Sequence, residues 1–160
     1  MLEHISVFRK EEFAMNLAYL WIWNPAGIPP HMGLSIDGRY FSLKANGLDF
    51  NSELKDLIGI ISRKRLAVLA VELKLGLNVD DFKVEFSKFE KTIAHKITCL
   101  NPIKNVLSFP ETRKLSELLM ELDKKDLLGK ITSWNMAESS VQLADYSTED
   151  IHKHLVSLTK

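Results

Sequence analysis

Residues 27–44 read GIPPHMGLSIDGRYFSLK, and the fold turns on this stretch. Two alternating runs, 32–36 and 39–43, flank Asp37-Gly38, the strongest short-range signal for a β-hairpin. A two-residue loop sets the register. Ile36 then stands opposite Arg39, Leu34 opposite Phe41, Gly33 opposite Ser42 and His31 opposite Lys44. Successive side chains point to opposite faces of a strand. One face therefore carries Met32, Leu34, Ile36, Phe41 and Leu43, a core face. The other carries His31, Gly33, Ser35, Tyr40, Ser42 and Lys44. A polar face that begins with histidine, with a glycine beside it for close approach, makes the hairpin a candidate site as well as a scaffold.

Working outward toward the N-terminus, residues 16–23, NLAYLWIW, are aromatic and β-branched enough for a buried strand. It ends at the turn Asn24-Pro25-Ala26-Gly27, and residues 5–8 suggest a further short strand. Pro29-Pro30 hold the backbone extended just before His31. Beyond the hairpin, Asn46-Gly47 is a second turn signal, leading into residues 48–50. A helix follows, capped at Asn51 or Ser52, with Leu54, Leu57, Ile58 and Ile61 at helical spacing. Residues 66–75, LAVLAVELKL, read as a central strand. Asn78 or Asp80 can cap a helix with Phe82, Phe86, Phe89 and Ile93 on one core face. Pro102 suits the first turn of a short helix with Ile103, Val106 and Leu107. Leu115, Leu118, Leu119 and Leu122 mark another helix. Residues 130–136 and 141–146 suggest two strands around a turn. Ser147-x-x-Asp150 resembles a capping box, opening a last helix with Ile151, Leu155 and Leu158 inward.

The chain has 160 residues, so a single domain over residues 1–160 is expected, with a core large enough to need no staples. Twenty-one acidic and 21 basic side chains balance, which argues against a general attraction to nucleic acid or anionic membrane. One cysteine excludes an internal disulfide and a multi-cysteine zinc site. The longest apolar runs are too short to span a bilayer, and residues 1–13 lack a signal-peptide core. A soluble, cytoplasmic protein is expected, without an integral membrane segment. Phosphate-binding loops, paired-carboxylate motifs and nucleophile elbows are missing, so neither a cofactor nor a metal is implied. No feature demands a particular oligomeric state.

Cys99 and His31 are the one pair with the chemistry of a nucleophile and its base. A thiolate attacks well when an imidazole takes its proton and returns it to the leaving group. Cys99 falls at a helix start, where the dipole favours thiolate and backbone N–H groups could hold an oxyanion. The alternative is a cysteine that merely packs, the commoner fate of a free thiol. A third group should steady the imidazole. Ser42, diagonal to His31, can accept from the ring; Lys44, directly opposite, cannot while charged. Asn46 and Asp49 qualify if the second strand bends. His95, four residues before Cys99, could compete as the base. His152 and His154, two apart, do not share a helix face and make a poor metal site, and His4 has no evident partner.

The order of parts has a family likeness. An aromatic strand is followed by His31-x-Gly33, a tight glycine turn, a second strand, a helix, an apolar strand, a helix, and Cys99 opening another helix. This resembles the circularly permuted papain-like proteins of the NlpC type, which include lecithin retinol acyltransferase-like proteins and YiiX-like amidases. The matching stretch runs from about residue 17 to residue 106. The resemblance implies an α+β fold, with a small antiparallel, barrel-like sheet packed against helices. It implies cysteine-dependent hydrolysis or transfer of an amide, peptide or acyl ester through a thioester, with Cys99 as nucleophile and His31 as base. The substrate would be a small-molecule, peptide or lipid-like acyl donor. The third position falls on Ser42 or Lys44, where relatives carry His, Glu or another polar group. Cys99 is followed by Leu-Asn-Pro, not by the Ser-Glu type run of the amidases. A catalytically inactive binding or adaptor domain of the same fold is the alternative.

Overall fold

The computed structural model describes residues 7–8, 13–136 and 143–158. Among these residues, seven strands share one sheet: β1 (Val7–Phe8), β2 (Ala18–Trp23), β3 (His31–Ile36), β4 (Arg39–Lys44), β5 (Gly47–Glu53), β6 (Val68–Leu73) and β7 (Leu128–Trp134). The helices are α1 (Leu54–Lys64), α2 (Val79–Phe86), α3 (Leu100–Val106), α4 (Leu115–Lys124) and α5 (Thr148–Leu158). The strand order is β1-β7-β6-β2-β3-β4-β5. Neighbours run antiparallel except for the β1–β7 pair at one edge. The fold is therefore α+β. The expected barrel does not form: β1 and β5 are free edges of an open sheet. The physical reason is that helices cover both faces, and a closed barrel of this size has an interior filled by its own side chains.

The central hairpin keeps the register that its turn dictates. Leu34 pairs with Phe41, Ser35 with Tyr40 and Ile36 with Arg39. Asp37 and Gly38 have φ of 51° and 76°, the left-handed pair whose twist matches the strands. Alternation then sorts the sheet into two cores. On one face, Leu20, Ile22, Met32, Leu34, Phe41 and Val71 pack with side chains of α2, α3, α4 and α5. On the other, Tyr19, Trp21, Tyr40, Val68, Ala70 and Trp134 pack with Leu54 and Ile61 of α1.

This second core corrects the expected polar face of the hairpin. Ser35 and Ser42 are fully buried, and Tyr40 is 1% exposed. Burial is tolerable because aromatic N–H groups and a carboxylate satisfy these hydroxyls. Trp21 Nε1 donates to Ser35 Oγ at 2.7 Å, Trp23 Nε1 donates to the Tyr40 hydroxyl at 2.8 Å, and Ser42 Oγ donates to Asp49 Oδ2 at 2.9 Å. Trp21 also stacks on Trp134 with ring centroids 5.4 Å apart. A serine in a strand thus marks a buried partner for an indole, not a wet surface.

Several boundaries shift. Asn51 and Ser52 belong to β5, so α1 begins after Glu53 without a side-chain cap. The α2 helix ends at Phe86, leaving Phe89 outside it and Ile93 exposed, bridged to Ile97. Residues 143–147 are not strand, and residues 5–6 and 137–142 of the expected strands and turn lie outside the described residues. Ile151 and Leu155 face inward from α5, but Leu158 is 52% exposed. The last helix does open on the expected capping box: Ser147 N donates to Asp150 Oδ2 and Asp150 N to Ser147 Oγ. No helix among the described residues is long and apolar enough to cross a membrane.

The α2 helix is short and relies on its start. Asn78 Oδ1 accepts from Asp81 N at 3.1 Å, and Asp81 Oδ2 accepts from Asn78 N at 2.9 Å. We expect Asn78→Ala to cost about 1 kcal/mol. Urea unfolding would read this as a lower midpoint at unchanged slope, and an unchanged midpoint would refute the role of the cap.

Candidate active site

Four elements meet where β3 begins and β4 ends. β3 supplies His31, β4 supplies Ser42 and Lys44, β5 supplies Asp49, and the start of α3 supplies Cys99. Asp49 is the hub of the polar groups. Ser42 donates to its Oδ2, and Lys44 Nζ lies 3.1 Å from its Oδ1. The pairing Lys44–Gly47, Leu43–Leu48 and Ser42–Asp49 puts it there. The loop is Ala45-Asn46, one residue earlier than the Asn46-Gly47 signal suggests. A bulge next to that pairing, with Asn51 at φ 53°, supplies the bend on which Asp49 depended.

His31 is partly exposed, but its Nε2 atom is buried and has no hydrogen-bond partner. Neither Ser42 nor Lys44 steadies it; both are spent on Asp49. Burial pushes the His31 ring down to about 4, against the pull of the Asp49 carboxylate, with Lys44 and His154 adding to the fall. The imidazole is therefore neutral at pH 7.

Cys99 is half-buried at the junction of α3 with β3. Its thiol faces backbone N–H groups of Met32 and of Cys99 itself, and Met32 is the residue after His31. Met32 also lies beyond the last paired residues of the β3–β4 ladder. No hydrogen bond joins Cys99 to His31. The expected helix-dipole activation of the thiol is overturned: burial pushes Cys99 up to about 11, and the two N–H groups offset only part of that. The dipole is weak because α3 is short, and Thr98 and Asn101 already occupy its first donors. Leu100 N donates to Thr98 Oγ1, Asn101 N to Thr98 O, and Thr98 N to Asn101 Oδ1. That leaves Met32 N–H and Cys99 N–H, rather than the rest of the helix start, as the backbone donors that face the thiol.

His95 stands apart from this pair. Its backbone N–H donates to His152 Nδ1 at 2.8 Å, and the two rings stack at 4.8 Å. Among the described residues, no group of three or more His, Cys, Asp or Glu side chains is arranged to hold a metal ion. A cleft of about 670 Å³ opens at the other end of β3, between Ala18, Ile36, Glu72 and Asn78. A second, of about 420 Å³, lies beside α4 at Phe109, Thr112 and Met120. Neither is lined by His31 or Cys99. Comparison with protein-family models, curated proteins and solved structures finds no match for the chain.

Proposed function

We propose that the protein is a thiol-dependent hydrolase or acyltransferase of the permuted papain-like type, with Cys99 as nucleophile and His31 as base. The observation that carries this reading is the unpartnered, buried Nε2 of His31 one residue from the N–H that faces the Cys99 sulfur. A buried ring nitrogen left unpaired costs about 1–3 kcal/mol, and a catalytic role is one physical reason for a fold to bear that cost. The thiol and imidazole rest neutral. Proton transfer from Sγ to Nε2 accompanies attack of sulfur on the carbonyl carbon, and Met32 and Cys99 N–H groups receive the oxyanion. The imidazolium returns its proton to the leaving group as the tetrahedral adduct collapses to a thioester. Water or an acceptor, deprotonated by His31, then releases the acyl group and restores the thiol. Asp49, rather than Ser42 or Lys44, supplies the negative charge that stabilises the imidazolium between these steps.

A second reading, an inactive binding domain of the same fold, is favoured by the missing Cys99–His31 hydrogen bond and the raised thiol. The two readings part in one experiment. Protein incubated with p-nitrophenyl acetate is digested and the Cys99 peptide weighed. The enzyme reading expects an acetyl thioester on Cys99 that His31→Ala forms about 100-fold more slowly. An adduct formed equally in both, or none in either, supports the binding domain.

A further inference from the structure

His95 and His152 meet from positions 57 residues apart. His95 lies at φ 66° in the turn that the Ile93–Ile97 bridge closes, a left-handed conformation uncommon for a residue with a Cβ. The turn keeps several of its own N–H groups: Ile93 N donates to Ile97 O, and Lys96 N and Ile97 N donate to Ile93 O. The N–H of His95 leaves the turn and donates to Nδ1 of His152, on α5, at 2.8 Å. The two imidazoles stack with centroids 4.8 Å apart and planes 25° from parallel.

An acceptor nitrogen carries no proton. A neutral imidazole has one N–H, so this bond holds His152 as the tautomer protonated at Nε2. The next proton must go to Nδ1. There it turns the acceptor into a donor that faces another donor. The bond is lost, and a positive ring is set against the face of a second imidazole that can itself charge. The charges that flank the pair do not cancel this. On α5, Glu149 pairs with Lys153 at 3.7 Å, Asp150 serves the Ser147 cap, and His154 adds a further titratable ring. From the turn side, Lys96 is exposed beside His95, with Glu90 and Lys91 leading into the turn.

We propose that the His95–His152 contact is a pH-sensitive joint, which ties the loop before Cys99 to α5 while His152 is neutral and releases that loop when His152 takes a proton. The release is local. Ile151 and Leu155 keep α5 in the core, and the Tyr146 hydroxyl still accepts from Leu115 N. The turn keeps its own bridge, and Thr92 N stays bonded to Lys44 O at 3.0 Å. The joint needs no catalytic role for Cys99, so it stands or falls apart from the thiol-enzyme reading.

The test uses the whole chain labelled with nitrogen-15. Nuclear magnetic resonance reads the scalar coupling across the N–H···N bond, and the shift of Nδ1 reports its protonation. At about pH 8, Nδ1 of His152 should be bare and coupled to His95 N; by about pH 5 it should be protonated and the coupling gone. Protection of the His95 amide from hydrogen exchange, corrected for the intrinsic pH dependence, should fall about fivefold over that range. The Ile97 amide, bonded within the same turn, should keep its protection. His152→Phe retains a ring to stack but no acceptor, and its His95 amide should be poorly protected at both pH values. A proton on Nδ1 at the higher pH, no coupling there, a coupling that outlasts protonation, or a His95 amide as well protected in His152→Phe as in wild type would overturn the joint.

Discussion

Between pH 6.5 and about 4 the folded protein is expected to lose about 2–3 kcal/mol of stability through His31 alone. The sign follows from linkage. In the unfolded chain the ring binds its proton near 6.5; in the fold it resists until about 4. Over that window the unfolded state holds more protons, so falling pH favours unfolding. Above the unfolded value the neutral ring costs nothing, and below the folded value the loss stops growing. The full shift corresponds to roughly 3.4 kcal/mol, and partial exposure of the ring reduces it. Other groups titrate in the same range, so the measurement is a difference. Urea unfolding of wild type and His31→Gln is compared at intervals from pH 7.5 to pH 4. The variant should show a flatter profile, by about 2 kcal/mol across the window. Parallel profiles would mean that His31 is not held neutral by the fold.

The same neutrality bears on the chemistry. An imidazole that resists protonation is a poor resting partner for a thiolate, and Cys99 is itself pushed up to about 11. These two directions together argue against a preformed ion pair. Any catalysis must move the proton within the step that attacks the carbonyl. Alkylation of Cys99 by iodoacetamide should therefore climb with pH well past the range of an ordinary free thiol.

The parts that were legible in the sequence are those set by local rules. Asp37-Gly38 gave the hairpin and its register, the leucines of α4 all point inward, and the run in β6 is buried on both faces. The parts that were not legible depend on what lies above the sheet. Ser35, Tyr40 and Ser42 alternate like solvent-facing residues, yet α1 and the indoles of Trp21 and Trp23 cover them. Period-2 alternation reports two different faces; it does not report which face is wet. Asp49 comes opposite Ser42 because the second turn falls at Ala45-Asn46, one residue from the stronger Asn-Gly signal, and the sequence offers it only on condition of a bend that the bulge in the β4–β5 ladder supplies. The burial that raises Cys99 and lowers His31 comes from elements distant in sequence, so no motif around either residue carries it.

Gly33→Ala is expected to destabilise the protein by about 3 kcal/mol, the upper end for forcing one methyl into a packed core. A Cβ at this position would lie 2.6 Å from Cζ of Tyr40 and closer still to its hydroxyl. The ring cannot swing aside. Its hydroxyl accepts from Trp23 Nε1, and the ring makes edge-on contacts with both Trp21 and Trp23. The contrast is Gly59→Ala, in the exposed middle of α1, where a Cβ meets nothing within 4 Å. There the same substitution should stabilise by about 0.5–1 kcal/mol. In a Tyr40→Phe background the cost of Gly33→Ala should shrink, because the nearest clashing atom is gone, and a double-mutant cycle would read that coupling. A cost of a few tenths of a kcal/mol at Gly33, or no coupling to Tyr40, would sink the account. The glycine two residues after His31 then has a definite physical task. It makes room for the Tyr40 ring, whose hydroxyl bond to Trp23 ties β4 to the strand paired with His31. A glycine kept for the approach of a substrate would instead tolerate alanine in stability and suffer only in acylation of Cys99. The ratio of those two losses tells a wall from an opening.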